Sequence, residues 1–246
     1  MGGLPNVYTG YQPVTDKAAR EKMEKTWGVE NLPAVPGLTA TIMMEKAHEG
    51  AIKAMFVIGE NPMVSDPNLN HAKKSLDKLD FLVVQDIFMT ETAEMANVVL
   101  PTASFAEKDG SFTNTERKVQ RVRKAIDSPG DAREDWAILC DIAKRMGYEM
   151  GYKNAGEIMA EIAKATPSYC GINFSRIENA GIHWPCPSTD HPGTPCLHVD
   201  KFSCGLGVFH AIEYLPPAEE TDDEYPVYLT TGRVIYQYHT GTMTMK

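Results

Sequence analysis

Cysteine is scarce in this sequence: five in 246 residues, at 140, 170, 186, 196 and 204, with no CxxC pair among them. An odd set without paired spacing excludes a disulfide framework and an ordinary zinc or iron-sulfur knuckle, so free thiols are expected. Basic charge is also in deficit, with 24 Lys and Arg against 33 Asp and Glu for a net charge of -9. Such a balance opposes binding to nucleic acid or to anionic lipid surfaces. No apolar run approaches the roughly 18 residues of a membrane span, so none is expected. The opening Met1-Gly2-Gly3-Leu4-Pro5 lacks the basic and apolar regions of a signal peptide, which implies a cytoplasmic location. Neither GxGxxG nor GxxxxGK[ST] occurs, so an ordinary dinucleotide or triphosphate loop is missing.

What is present is 43% apolar residues, enough to bury a core. Residues 1–15 carry Gly, Pro, Tyr and Asn without period and read as an ordered loop. Asp16 caps a helix that Gly28 stops, and a second helix covers 42–48. Two apolar runs follow, 54–58 and 81–84, with a helix at 68–79 between them; another helix at 90–95 leads into a third run, 97–101. Short apolar runs separated by helical segments predict parallel strands covered on both faces. Segments 111–114 and 118–122 alternate and predict a hairpin. Helices are expected at 135–146, where Gly147 stops the pattern, and at 155–165 before Pro167. Residues 169–203 hold many Pro, Gly, Cys and His and predict a long ordered excursion, after which 207–214 resumes as a strand. Its scattered His and Cys do not match a zinc ligand spacing.

An acidic linker at 216–224 then precedes Tyr225-Pro226-Val227-Tyr228-Leu229-Thr230-Thr231-Gly232, which predicts the first strand of a second domain. The remaining residues are too few for an independent core, so a fragment of a longer protein is expected. The domain reading is one α/β domain over 1–215, the linker, and the truncated start of a second domain over 225–246.

In a parallel sheet, ligands sit at the carboxyl ends of the strands. The loop after the first run is Gly59-Glu60-Asn61-Pro62, where Gly lets a ligand approach the backbone and Asn offers donor and acceptor. After the second run comes Gln85-Asp86. An Asp there can accept from N1 and N2 of guanine, while Gln or Asn can satisfy its carbonyl or a ribose hydroxyl. Polar groups at strand ends equally often serve as helix caps.

Taken together, Gly59-Glu60-Asn61-Pro62, Val84-Gln85-Asp86-Ile87-Phe88-Met89-Thr90-Glu91-Thr92-Ala93 and Ala96-Asn97-Val98-Val99-Leu100-Pro101 resemble the prokaryotic molybdopterin oxidoreductases, specifically formate dehydrogenase alpha (catalytic) subunits. The opening residues through Gln12, Trp184-Pro185-Cys186, and Tyr225 through Arg233 carry the same resemblance. It implies a Rossmann-like α/β parallel sheet flanked by helices, a β-hairpin, and the start of a C-terminal β-barrel-like pterin-binding domain. It also implies an oxidoreductase interconverting formate and CO2 at a molybdenum or tungsten centre held by molybdopterin guanine dinucleotide. Iron-sulfur or flavin subunits would pass the electrons on. By the same resemblance Gly59, Asn61, Gln85 and Asp86, with Thr102 and Asp135 as companions, contact one nucleotide arm. Arg233, beside Tyr238, His239 and Thr240, would meet the pterins, with a surface salt bridge as its plainer role.

The family's [4Fe-4S] ligands and catalytic residues correspond to none of the positions here, so the remainder of a catalytic subunit is an expected partner and the chain alone is expected to be inactive. Alternatives of other classes are a noncatalytic scaffold subunit, as in respiratory NADH dehydrogenases, and a sister molybdenum oxyanion reductase.

Overall fold

The structure is a computed structural model that describes residues 3–202, 204–230 and 232. The chain divides into two units, the first closing at Pro195 and the second beginning at Cys196.

The first unit opens with a two-residue antiparallel ladder, β1 (Val7–Tyr8) and β2 (Gln12–Pro13), then α1 (Lys17–Trp27) and α2 (Ala40–His48). Asp16 caps α1 by accepting from the Ala18 amide, and Gly28 ends it in the left-handed region. A βαβ core follows: β3 (Ala54–Ile58), α3 (Pro62–Ser65), α4 (Leu69–Leu76), β4 (Phe81–Asp86), α5 (Glu91–Glu94) and β5 (Val98–Pro101). These strands form a parallel sheet in the order β3-β4-β5, with Val57 beside Val84 and Val84 beside Val99.

Alternation of side chains across the sheet explains where the core lies. Met55, Val57, Leu82, Val84 and Val99 share one face and pack with Met44 of α2, Met63 of α3, Leu76 of α4 and Ala93 of α5. Burying Leu82 and Val84 stabilises the fold by about 1.5–3 kcal/mol each. The expected cover is partial on the other face, where Gln85 is buried while Phe56, Ile58, Phe81 and Val98 stay 38%, 42%, 46% and 38% exposed. The helices that the βαβ segments supply all lie against the first face.

A second sheet holds β6 (Gly110–Thr113), β7 (Lys118–Val122) and β8 (Ile182–His183) in that order, all antiparallel, with α6 (Asp135–Arg145) and α7 (Ala155–Ala165) between β7 and β8 in sequence. Val119, Met159, Ile172, Ile177, Ile182 and Cys186 form its core. The irregular segment around β8 is ordered by two guanidinium groups. Arg117 donates to the carbonyls of Trp184, Thr194 and Pro195, and Arg176 to those of Gly171, Ser188 and His191.

In the second unit Phe202 bridges to Gly205, and no longer ladder occurs among the described residues. The expected strand over 207–214 does not form: Phe209, Ile212 and Tyr214 are exposed, and among the described residues no neighbouring backbone pairs with them. Residues 225–230 likewise form no strand. Among the described residues no helix is long and apolar enough to cross a membrane.

Candidate functional site at the strand ends

Register brings the sequence-derived candidates to one edge of the parallel sheet. Ile58 pairs with Gln85, Gln85 with Leu100, and Asp86 with Pro101, so the three carboxyl ends stand side by side. The Gly59 amide donates to the Gln85 carbonyl at 2.9 Å, and the Thr102 amide to the Asp86 carbonyl at 3.1 Å. Gly59 adopts φ +61°, with open space where a Cβ would stand. Its backbone is therefore exposed at a turn that L residues rarely make.

Gln85, Thr102 and Asp135 join in one network. Gln85 Nε2 donates to Asp135 Oδ1 at 2.9 Å, and Thr102 Oγ1 donates to the same oxygen at 2.7 Å. Lys108 Nζ is ion-paired with the second carboxylate oxygen. Burial alone would push the Asp135 carboxyl up; hydrogen bonds from Lys108, Thr102 and Gln85 outweigh it and hold the group below the ordinary carboxylate range. Gln85 is fully buried, and its Oε1 has no hydrogen-bond partner among the described residues. An orphaned buried acceptor is uncommon in a folded protein and costs stability unless a donor arrives.

Asp86 is half-buried, and its Oδ1 accepts from the Phe88 amide at 3.1 Å, fixing the turn out of β4. Among the described residues no cation pairs with it, which leaves an anionic acceptor at the edge. Asn61 is different. Its Oδ1 accepts from the Thr92 hydroxyl at 2.7 Å and the Thr92 amide at 3.3 Å, while Nδ2 donates to Glu91 Oε2 at 2.7 Å. With 2% exposure and both amide ends engaged, Asn61 ties the β3 loop to α5.

Six of the eight candidates thus gather at or just behind one edge: Gly59, Asn61, Gln85, Asp86, Thr102 and Asp135. Arg233 and His239 lie outside the described residues, as do Tyr238 and Thr240. Lys108, Glu91 and Thr92 escaped the sequence reading. Lys108 stands in the polar Glu107-Lys108-Asp109 turn and carries no mark of its distant carboxylate. All five cysteines are free thiols, and among the described residues no three His, Cys, Asp or Glu side chains gather as a metal site.

A family model described as molybdopterin oxidoreductase matches residues 2–145. Among curated proteins, the F420-dependent formate dehydrogenase 1 subunit alpha of Methanococcus maripaludis is 50% identical over 250 residues, covering 100% of this chain and 36% of that protein. Formate dehydrogenase H of Escherichia coli is 40% identical over 249 residues, covering 99% and 35%. The chain therefore spans little more than a third of the length of these relatives. Among solved structures, acetylene hydratase from Pelobacter acetylenicus shares the fold with a TM-score of 0.51 at 24% identity, over 72% of this chain and 24% of that one. Because the family model runs from β1 through α6, more than half of the sequence, this chain belongs to the molybdopterin oxidoreductase family.

Proposed function

We propose that this chain is part of a formate dehydrogenase catalytic subunit and that its strand-end edge forms a wall of the site for one guanine nucleotide arm of the molybdopterin cofactor. The observation that carries the reading is the convergence of Gly59, Gln85, Asp86, Thr102 and Asp135 on one sheet edge, in a chain 50% identical to a formate dehydrogenase alpha subunit. The residues fit the group. Guanine presents N1–H and N2–H donors, and the edge offers the unpartnered, buried Gln85 Oε1 and the half-buried Asp86 carboxylate, whose Oδ1 also accepts from the Phe88 amide.

When bound, the metal held by the pterin dithiolenes would supply the two-electron redox chemistry that interconverts formate and CO2. This chain's residues do the holding. Asp86 accepts from the base, Gly59 lets the ligand lie against bare backbone, and Asn61 keeps the Gly59 loop in place from behind. Arg233 and His239 belong to the same proposal as donors toward a phosphate or the pterin ring. The metal ligand, the formate-facing residues and any [4Fe-4S] ligands would come from the rest of the catalytic subunit. The complete subunit would act in the cytoplasm with iron-sulfur or flavin electron-transfer subunits.

The test is titration calorimetry of the full chain with GDP and ADP. GDP binds more tightly, and Asp86→Ala weakens it about tenfold, the worth of one good hydrogen bond. Equal affinity for the two nucleotides, or an Asp86→Ala variant that binds GDP unchanged, overturns the reading. Dye-linked formate oxidation by the chain alone should stay at background, and turnover would show that the chemistry had been assigned to the wrong residues.

A further inference from the structure

Two imidazoles meet away from the strand-end network, on the seam between α2 and α4. His48 is the last residue of α2, and His71 stands in the first turn of α4. Their rings lie 4.9 Å apart, centroid to centroid, and are tilted by 38°. The seam matters to the core, because Met44 of α2 and Leu76 of α4 belong to the apolar cluster that packs on the parallel sheet. His48 Nδ1 is buried and has no hydrogen-bond partner among the described residues. A neutral imidazole can leave an acceptor nitrogen there, but a protonated ring carries an N–H donor on both nitrogens. A cationic N–H buried without an acceptor costs more than an orphaned lone pair.

The charges around His48 act in the same direction. Lys78, in the turn after α4, donates to the His48 carbonyl, and Lys74 and the His71 ring of α4 also stand near the imidazole. Glu49 is the carboxylate beside it, and that carboxylate is held by Lys46 at 2.6 Å. The carboxyl end of α2 favours a cation at His48. Burial first, then Lys78, His71 and Lys74, outweigh Glu49 and hold the imidazole below its ordinary value of 6.5.

We propose that the His48–His71 stack is an acid-sensitive latch: neutral His48 holds α2 against α4, and protonation of His48 releases α2 from the core. A histidine depressed in the folded chain contributes stability that is complete above 6.5 and is lost as pH falls below it. The loss falls on α2 first, since a helix of nine residues does not persist in water once it leaves its packing partner. Its release uncovers Met44 and Leu76. Neither imidazole takes part in the Gln85–Thr102–Asp135 network, so the latch stands or falls apart from the nucleotide reading.

The experiment is hydrogen exchange of the full chain, read by mass spectrometry at about pH 7.5 and about pH 5.5, with rates corrected for intrinsic pH dependence and α1 as internal reference. In the wild type, protection of residues 40–48 should fall severalfold in acid relative to α1. In His48→Gln, which has no titratable ring at that position, protection should be the same at both pH values. Wild-type protection that does not fall, or an equal fall in His48→Gln, overturns the latch. If the variant does not fold, NMR titration of the wild-type imidazole decides. A His48 midpoint below 6.5 that moves together with the α2 amide signals supports the latch. A midpoint at or above 6.5, or α2 amides that ignore the titration, contradicts it.

Discussion

At the scale of single residues, the amides and carboxylates of the strand ends divide into those consumed by the fold and those left over. Asn61 is consumed: both ends of its amide hold α5. Asp135 is consumed as well, but in a way that has a pH signature. Its folded carboxyl lies below the ordinary value of about 3.9. A depressed acid contributes stability that is complete above the unfolded value and lost as pH falls through the folded one. The gap in melting temperature between the wild type and Asp135→Asn should therefore hold steady from about pH 7 to about pH 5 and shrink below about pH 4. Thermal melts across that range check the sign, and a gap that widened in acid would mean that Asp135 is not held ionised. The sequence brought Gln85 and Asp86 to notice through their place at a strand end, and Thr102 and Asp135 through their likeness to a family. Lys108 was invisible because an ion pair 27 residues apart leaves no trace in local spacing.

At the scale of elements, legibility follows from where the ordering forces lie. Helix α1 could be read in full, since Asp16, the Lys17–Trp27 pattern and Gly28 are local signals. Gly28 sits at φ +66° with open space around its Cβ position, so Gly28→Ala meets no clash and pays only for the left-handed backbone. Denaturant unfolding should show a loss of about 1 kcal/mol, and no loss would mean that this cap is not set by its handedness. The three parallel strands were equally plain as apolar runs. By contrast, β8 is two residues inside an irregular stretch, and it reaches β7 because Gly181 has no Cβ to strike the Val119 carbonyl, which would lie 2.7 Å away. The carbonyls gathered by Arg117 and Arg176 come from residues 5 to 78 positions distant. Ordering of that kind is tertiary, and a period search has nothing to find. The strand expected at 207–214 did not form for the converse reason: its apolar residues are present, yet among the described residues no ladder partner stands beside them.

At the scale of the whole molecule, the parallel sheet has one buried face and one that is covered at Gln85 but largely open elsewhere. Parallel sheets are covered on both faces almost without exception, and here Phe56, Ile58, Phe81 and Val98 present apolar surface to water. The chain studied by itself should self-associate through such surface, giving dimers or larger species in sedimentation velocity at micromolar concentration. A single dilute monomer peak would show that this face is tolerated in water.

The central claim is that the ends of β3, β4 and β5, with Asp135 behind them, hold a guanine nucleotide, and one NMR measurement addresses it directly. GDP added to the isotope-labelled chain should shift the amide signals of Gly59, Gln85, Asp86 and Thr102 together, with ADP shifting them less. Shifts spread over other parts of the sequence, or none at these four, would contradict the account.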